Sequence, residues 1–389
     1  PQGDVRYNML ESIRQFTHNK LLEANEGEIL RDRHAEYYTG FGERVSQALQ
    51  GQEMLLWLGR LLRETDNAKA TRQWTLDKRL DLALRIGGAS MLITRYWFLS
   101  SDDIHWLQQV VERARTRPET DTNQEFRQGL AKAVIALGAV TTLAGDFDNG
   151  PVIEEGIALA KEAGVVEQRI FGLNMLLITF FQMGQLSAAL SVAQQSLTLS
   201  QKHSVNFWRL MAIGYLVSIY MLRGNNEKAD YYAEHAIRLA KKLDNPWLNA
   251  MTFFQLARLE EQRKNWDQAE KYAANAADLF DALRDYGMTL TARSSLGHMK
   301  RMKGNLDGAE RVYQQTIIAF QERGHSPAVA HQMECFGVIA VLINQGARAA
   351  RLFGAANTIR QTVHVNRLPS EQIEFDQILI QLAETIGEI

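Results

Sequence analysis

One short block of residues returns at a fixed step along this chain, and a fixed step limits the fold more than any composition does. The block reads Gly184-Gln-Leu-Ser-Ala-Ala189, Gly224-Asn-Asn-Glu-Lys-Ala229, Lys264-Asn-Trp-Asp-Gln-Ala269 and Gly304-Asn-Leu-Asp-Gly-Ala309, so that the interval between copies is the same each time. Upstream, Gly145-Asp-Phe-Asp-Asn-Gly150 precedes Gly184 by one position less than that interval, and downstream Gly346-Ala-Arg-Ala-Ala-Arg351 follows Gly304 by two positions more. Each block has the chemistry of a turn between two helices. Gly or Asn accepts the left-handed backbone that stops one helix, the Asp, Ser or Glu that follows can cap the next, and the closing Ala suits a close helix crossing. Apolar residues at helical spacing flank the blocks, as in Leu210, Ile213, Val217 and Tyr220 before Gly224 and Ala229, Tyr232, Ala233, Ala236 and Leu239 after it. A single pair of amphipathic helices cannot bury its apolar face, so pairs must stack. The stack predicts an all-α, right-handed superhelical solenoid with a concave and a convex side.

The turn pattern, Gly-Asp/Asn-x-x-x-Ala, resembles that of the tetratricopeptide repeat, a helix-turn-helix unit of about 34 residues. The unit here, measured from Gly184 to Gly224, is longer and predicts helices extended by several residues, and the proline common near the end of the family's unit is missing from most copies. Such long repeats occur in bacterial signalling regulators. A HEAT-type array, with a period of roughly 40–47 residues, is the alternative that the period alone leaves open.

Outside the blocks, Glu28–Gln47, Met54–Thr65, Arg79–Ile93 and Ile104–Arg115 carry helical periodicity. The stretch from Arg117 to Asn123 is the most loop-like and marks a seam, and Leu368-Pro-Ser370 breaks the chain before a last amphipathic helix from about Glu371 to Ile386. The expected organisation is a helical N-terminal region over 1–117, the repeat array over 118–367 and a capping helix over 368–389. Several stretches also resemble, in their order, bacterial signal-transduction ATPases of the STAND class, including LuxR-type and maltose-activator-like transcriptional regulators. They are Arg6-Tyr-Asn-Met-Leu-Glu-Ser-Ile-Arg-Gln-Phe16, Leu30-Arg-Asp-Arg-His-Ala-Glu-Tyr-Tyr38, Trp57-Leu with Glu64-Thr-Asp-Asn67 and Trp74, and Ala349-Ala-Arg-Leu-Phe-Gly-Ala-Ala356. The resemblance implies that the first stretch closes a winged-helix module and that the repeats act as a sensor. There, an inducer or partner shifts a closed, nucleotide-held form toward an open one that multimerises. The chain contains no Gly-x-x-x-x-Gly-Lys-Ser/Thr phosphate loop and begins with Pro, so the expectation is the C-terminal piece of a longer regulator.

Composition narrows the chemistry. Lys plus Arg total 43 against 45 for Asp plus Glu, a formal charge of −2, so no direct nucleic-acid contact is expected. The single cysteine, Cys335, excludes an internal disulfide and a cysteine-built zinc site, and a cytoplasmic setting fits. It lies among Met333, Phe336, Val338 and Ile339, which predicts core packing. No apolar run approaches the roughly 20 residues of a membrane span. The nearest histidines, His325 and His331, are six apart and on different faces of a helix, so no metal site is expected. Glu260 and Glu261 diverge around their helix, and Ser294-Ser295 lacks a nucleophile turn. No catalytic residue and no cofactor are assigned. The tryptophans at 57, 74, 97, 106, 208, 247 and 266 do not interleave with basic residues, and most are expected in the core.

The tetratricopeptide resemblance implies that the first helix of each pair lines the concave side, with residues 13, 10, 6 and 3 before the turn facing inward. That assigns Phe171, Asn174, Ile178 and Phe181; Met211, Gly214, Ser218 and Met221; Met251, Phe254, Arg258 and Glu261; and Thr291, Ser294, His298 and Arg301. The Phe and Met residues can line a ligand groove or fill the superhelix interior. Arg258, His298 and Arg301 fit contact with an anionic group. The groove set is therefore Phe171, Asn174, Met211, Ser218, Phe254, Arg258, Ser294, His298 and Arg301. The function expected is a non-catalytic sensor and interaction module of a transcriptional or signalling regulator, taking a protein, peptide or small-molecule inducer, with self-association possible. The alternative is a free-standing scaffold that binds peptides or proteins.

Overall fold

A computed structural model describes residues 10–93, 101–118, 123–144, 146–363, 365, 367 and 369–386. Within them every regular element is a helix. The N-terminal helices are α1 (Glu11–Glu23), α2 (Gly27–Ala48), α3 (Met54–Arg63), α4 (Thr65–Lys78), α5 (Leu80–Ile93) and α6 (Ser101–Arg115). The repeats then run as pairs: α7 (Gln124–Leu143) with α8 (Gly150–Glu162), α9 (Val166–Gln182) with α10 (Leu186–His203), and α11 (Asn206–Leu222) with α12 (Asn226–Leu243). Next come α13 (Pro246–Gln262) with α14 (Trp266–Ala282), α15 (Tyr286–Met302) with α16 (Leu306–Glu322), and α17 (Ser326–Leu342) with α18 (Gly346–Thr362). Helix α19 (Pro369–Ile386) ends the described chain. Gly145, residues 119–122 of the seam, Leu368 before the last helix, Trp97 and the residues before Leu10 lie outside the described residues.

The repeat step is finer than the sequence blocks suggest. Left-handed backbone recurs at Gly164, Gly184, Ser204, Gly224, Asp244, Lys264, Arg284, Gly304, Gly324 and Asn344, which halves the interval between blocks. From Gly164 to Asn344 the turns between pairs and those within them reverse the chain the same way. In all of these turns except the one at Asp244, the amide after the left-handed residue donates to the carbonyl five positions earlier, as Gln185 does to Phe180 at 2.8 Å and Val205 to Ser200 at 3.0 Å. This satisfies a carbonyl that the helix end leaves open. The sixth block is corrected by this frame. Its left-handed residue is Asn344, one full block interval after Gly304, while Gly346 is the first residue of α18, and Ala349 fills the place of the closing Ala. Capping also differs from expectation. The cap is the residue directly after the left-handed one: Asn225 and Asn305 accept from the amides of Lys228 and Gly308, and Asp285 and His325 do the same between pairs.

Ala189, Ala229, Ala269, Ala309 and Ala349 are all fully buried, because a larger side chain would push the two helices of a pair apart. The last two units add a second device. A Cβ on Gly297 would meet the Tyr313 ring at 2.5 Å, and one on Gly337 would meet the Phe353 ring at 2.3 Å. In the preceding unit the equivalent pair is Ala257 and Ala273, so an aromatic ring is matched by removal of the methyl group opposite it.

Successive first helices pack on each other, α7 on α9, α9 on α11, α11 on α13 and α15 on α17, with no comparable packing between second helices among the described residues. That asymmetry bends the stack and puts the first helices on the inner side. The N-terminal helices close back onto this array. Leu49, Met54, Leu58 and Leu61 share one apolar core with Phe171, Trp208, Met211 and Trp247. The buried Asn245, at the head of α13, donates from its carboxamide to the carbonyls of Leu49 at 3.1 Å and Gly51 at 2.9 Å.

The turns make a prediction of opposite signs at equivalent places. Gly304 (φ +80°) has open space where a Cβ would go, so Gly304→Ala should cost about 1 kcal/mol through backbone conformation alone. Lys264→Gly should stabilise by a comparable ~0.5–1 kcal/mol, since Lys264 holds φ +59° with a side chain. Urea unfolding midpoints shifting the same way in both variants would contradict the turn assignment.

Candidate partner groove on the concave face

The inward positions divide into a closed part and an open part. Phe171, Asn174, Met211 and Ser218 are each 4% exposed or less and pack inside the fold. Their polar members are bonded within it. Asn174 Nδ2 donates to the Ile170 carbonyl at 2.9 Å and to Ser196 Oγ at 2.8 Å, and Ser218 Oγ donates to Gln255 Oε1 at 2.6 Å. Ser294 is likewise buried and accepts from Gln332 Nε2 at 2.7 Å, while Gln332 Oε1 accepts from Thr316 Oγ1 at 2.8 Å. The bonds from Ser218 and Ser294 join one unit to the next, so each buried hydroxyl fixes the register of a neighbour.

The open part lies on α13 and α15. Phe254 is buried in its floor, and Arg258, Glu261 and His298 are half-buried at its surface. The Arg258 guanidinium stands 5.9 Å from the Phe181 ring centre, reaching back along the inner wall. His298 Nε2 is 3.1 Å from Glu261 Oε1, and its Nδ1 accepts from Arg301 Nη2 at 2.8 Å. The tautomer with hydrogen on Nε2 satisfies both contacts. Burial pushes the Glu261 carboxyl up, but the His298 hydrogen bond and the charges of Arg258 and Arg301 outweigh it and hold its pKa below the usual carboxylate range. Arg301 is 8% exposed and reaches Glu374 of α19 at 2.6 Å. Thr291 remains exposed on α15. Of the three cations assigned to an anionic partner, Arg258 faces the groove and stacks on an aromatic ring, whereas His298 and Arg301 form a bonded chain.

A second polar cluster escaped the sequence reading. Glu334 is buried on α17 and accepts from Arg360 Nε and Nη2, both at 2.8 Å, and forms an ion pair with Arg367, whose Nη2 is 2.7 Å from Glu334 Oε1. Arg367 also stacks 3.6 Å from the Phe375 ring centre of α19. The available signal was Glu334 itself, a lone carboxylate in the apolar run from Ala330 to Val341. Desolvation raises the Glu334 carboxyl, and the hydrogen bond and charge of Arg360, then the charge of Arg367, more than reverse it, so its pKa is lowered.

Two smaller expectations change or gain detail. Cys335 is buried as expected, with its Sγ 3.7 Å from His331 Nε2. The tryptophans divide: Trp208 and Trp247 are buried, while Trp57, Trp74, Trp106 and Trp266 are half-buried. Trp57, Trp74 and Trp106 lie under the guanidiniums of Arg60, Arg31 and Arg72. An indole with one wet edge keeps its N–H bonded, as Trp74 does to Asp32 and Trp106 to the Arg72 carbonyl. Among the described residues no three His, Cys, Asp or Glu side chains converge as a metal ion would require, and no described helix is long and apolar enough to cross a membrane.

The tetratricopeptide repeat family model matches residues 248–322. That stretch holds nearly all of α13 to α16 and with them the open part of the groove. In solved structures, the chain is similar in fold to a Rap protein complexed with competence and sporulation factor. The TM-score is 0.61 at 15% identity, covering 89% of this chain and 93% of that one. It is also similar to the Rap conjugation gene regulator of the plasmid pLS20 in complex with the Phr* peptide, with a TM-score of 0.54 at 13% identity over 85% of this chain and 99% of that one. The fold is thus that of a tetratricopeptide-like solenoid over most of its length. Among curated proteins, HTH-type transcriptional regulators of Mycobacterium bovis and Mycobacterium tuberculosis are 25% identical over 168 residues, which is 42% of this chain. The match spans 18% of the length of those relatives.

The Glu334 cluster predicts a pH dependence. A carboxylate with a lowered folded pKa stabilises fully above the ordinary value of about 4.3 and loses that contribution as pH falls through the folded pKa. Glu334→Gln should lower stability at neutral pH by roughly 3 kcal/mol, because Arg360 is left buried without its charge partner. It should also flatten the acid limb of a thermal-stability profile; an unchanged acid limb would show that other carboxylates set it.

Proposed function

We propose that the concave face over α13 and α15 binds a peptide segment of a partner protein, and that the chain is the sensor part of a larger transcriptional regulator. The observation that carries the first half is the half-buried inner surface of α13 and α15, where Arg258, Glu261 and His298 offer convergent polar groups over a floor in which Phe254, Phe181 and Met251 are buried. An extended or helical peptide laid along such a wall gains area from the half-buried stems of Arg258, Glu261 and His298 and register from their charges. The two Rap structures, one complexed with a factor and the other with a peptide, support a peptide in preference to a small-molecule inducer. The regulator half draws on the HTH-type relatives and on the resemblance to STAND-class activators of the maltose type. A free-standing adaptor would use the same groove and lack an output domain.

The mechanism is a population shift. A ligand bound on α13 moves an equilibrium only by as much as it prefers one arrangement of the units over another. Helix α13 is well placed for that, since its head also carries Asn245, which holds the α2–α3 loop. A ligand that tilts α13 acts on both ends of one rigid rod.

Random peptide display against the whole chain supplies ligands for the test. Affinity of the selected peptides should fall at least tenfold with Arg258→Glu, about 1.4 kcal/mol. Arg238→Glu, at an exposed position on α12, should leave it unchanged. The reverse pattern in fluorescence anisotropy would move the binding site to the convex side and sink the proposal.

A further inference from the structure

The last helix reaches into the groove by charge. The two faces of α19 do different jobs. Ile378 and Leu382 are buried with Val338, Val341 and Phe353, and Phe375 packs against them, which anchors the helix on α17 and α18. Its first turns instead cross toward the inner wall, where Glu374 Oε1 meets Arg301 Nη2 at 2.6 Å and Glu371 Oε1 lies 3.9 Å from His331 Nδ1. The exposures are lopsided. The Arg301 side chain is 6% exposed and Glu374 is 40% exposed, so the cation belongs to the wall and the carboxylate visits from solvent.

The charges of the wall call for such a visitor. Apart from α19, the first helices at this end of the inner wall carry the guanidiniums of Arg258 and Arg301 against the carboxylate of Glu261, while Arg360 and Arg367 are paired with the buried Glu334. The His331 imidazole stands next to this wall, with its Nδ1 3.9 Å from Glu371 Oε1. Arg301 Nε is buried without a hydrogen-bond partner inside this cluster, so a donor remains on the wall that α19 does not use. Glu374 therefore restores a balance that these first helices alone lack.

We propose that the ligand of this groove is an acidic peptide segment of a partner protein, and that Glu371 and Glu374 of α19 hold its place on Arg301 and His331 until it arrives. The proposal rests on the groove reading above and names the chemistry of its occupant. Both carboxylates are partly exposed and within reach of a competitor, and the buried Arg301 guanidinium must pass directly from one carboxylate to another, which restricts the exchange to acidic ligands. The apolar anchor of Phe375, Ile378 and Leu382 begins directly after Glu374, so the turn before Phe375 can lift and the Glu374 side chain can swing away while those three stay docked. Because the competing carboxylates are tethered, they tax the affinity of any incoming acid by the fraction of time they occupy the site.

The test uses the whole chain and a labelled peptide copying residues 370–377, Ser-Glu-Gln-Ile-Glu-Phe-Asp-Gln, with a second peptide carrying glutamine at both glutamates. The acidic peptide should bind the Glu371→Gln, Glu374→Gln chain about five-fold or more tighter than the native chain, and adding Arg301→Gln should abolish the gain. In the native chain, an excess of the acidic peptide should speed amide hydrogen exchange in the first turns of α19, a readout that needs no variant to fold. Equal affinity for native and doubly substituted chains, or unchanged exchange, overturns the proposal. If the glutamine peptide binds as tightly as the acidic one, the groove holds peptides without preferring acids, and the proposal is overturned. If display-selected peptides bind at Arg258 and neither of these does, the acidic class is wrong and the groove reading stands. If no peptide binds anywhere on the wall, both fail together.

Discussion

The array from α9 to α18 depends on a left-handed residue placed at one unvarying interval from Gly164 to Asn344. Each such residue ends a helix, turns the chain and, at all but one of the turns, lets the following amide recover a carbonyl that the helix end would leave bare. Because helices between them are nearly all of one length, each pair meets the next in the same relative position. A shift of one residue in any turn would rotate the following helix by about 100° and expose its apolar stripe. The buried alanines at 189, 229, 269, 309 and 349 are the packing counterpart of the same constraint.

Half of this was legible in the sequence. The turns within pairs use Gly at 184, 224 and 304, followed by Asn in two cases, and their regularity reveals the repeat. The turns between pairs reach the same backbone geometry through Ser204, Asp244 and Arg284 as well as Gly164 and Gly324. A left-handed conformation costs a side chain only about 1–2 kcal/mol, so tertiary packing can impose it where no glycine announces it. For the same reason the last block misled: Gly346 looked like the turn residue, yet Asn344 keeps the step.

Of the inward positions read from the sequence, Arg258 and His298 are half-buried on α13 and α15, while Phe171, Asn174, Met211 and Ser218 are enclosed in the core. Position relative to the turn finds the inner face, but it cannot say which stretch of that face is covered by something else. Leu49, Met54, Leu58 and Leu61, far away in sequence, share the core of Phe171 and Met211. Their own periodicity gave no hint of where they would dock. Glu334 was missed for a related reason, since its partners Arg360 and Arg367 come from the next helix and the turn after it. Buried ion pairs of this sort draw their meaning from partners that a linear pattern does not align.

The bond from Asn245 to the Leu49 and Gly51 carbonyls spans nearly two hundred positions of chain. A solenoid ordinarily folds by adding each brick to the one before, with no brick waiting on a distant one. Here α2 and α3 leave the ribosome well before α13, with an oily strip at Leu49, Met54 and Leu58 that finds its complete seat only after α13 has been made. During that interval the strip is exposed to whatever else is nearby. Nascent chains of this protein therefore have a built-in waiting period, its length set by the distance between one asparagine and the carbonyls it must find.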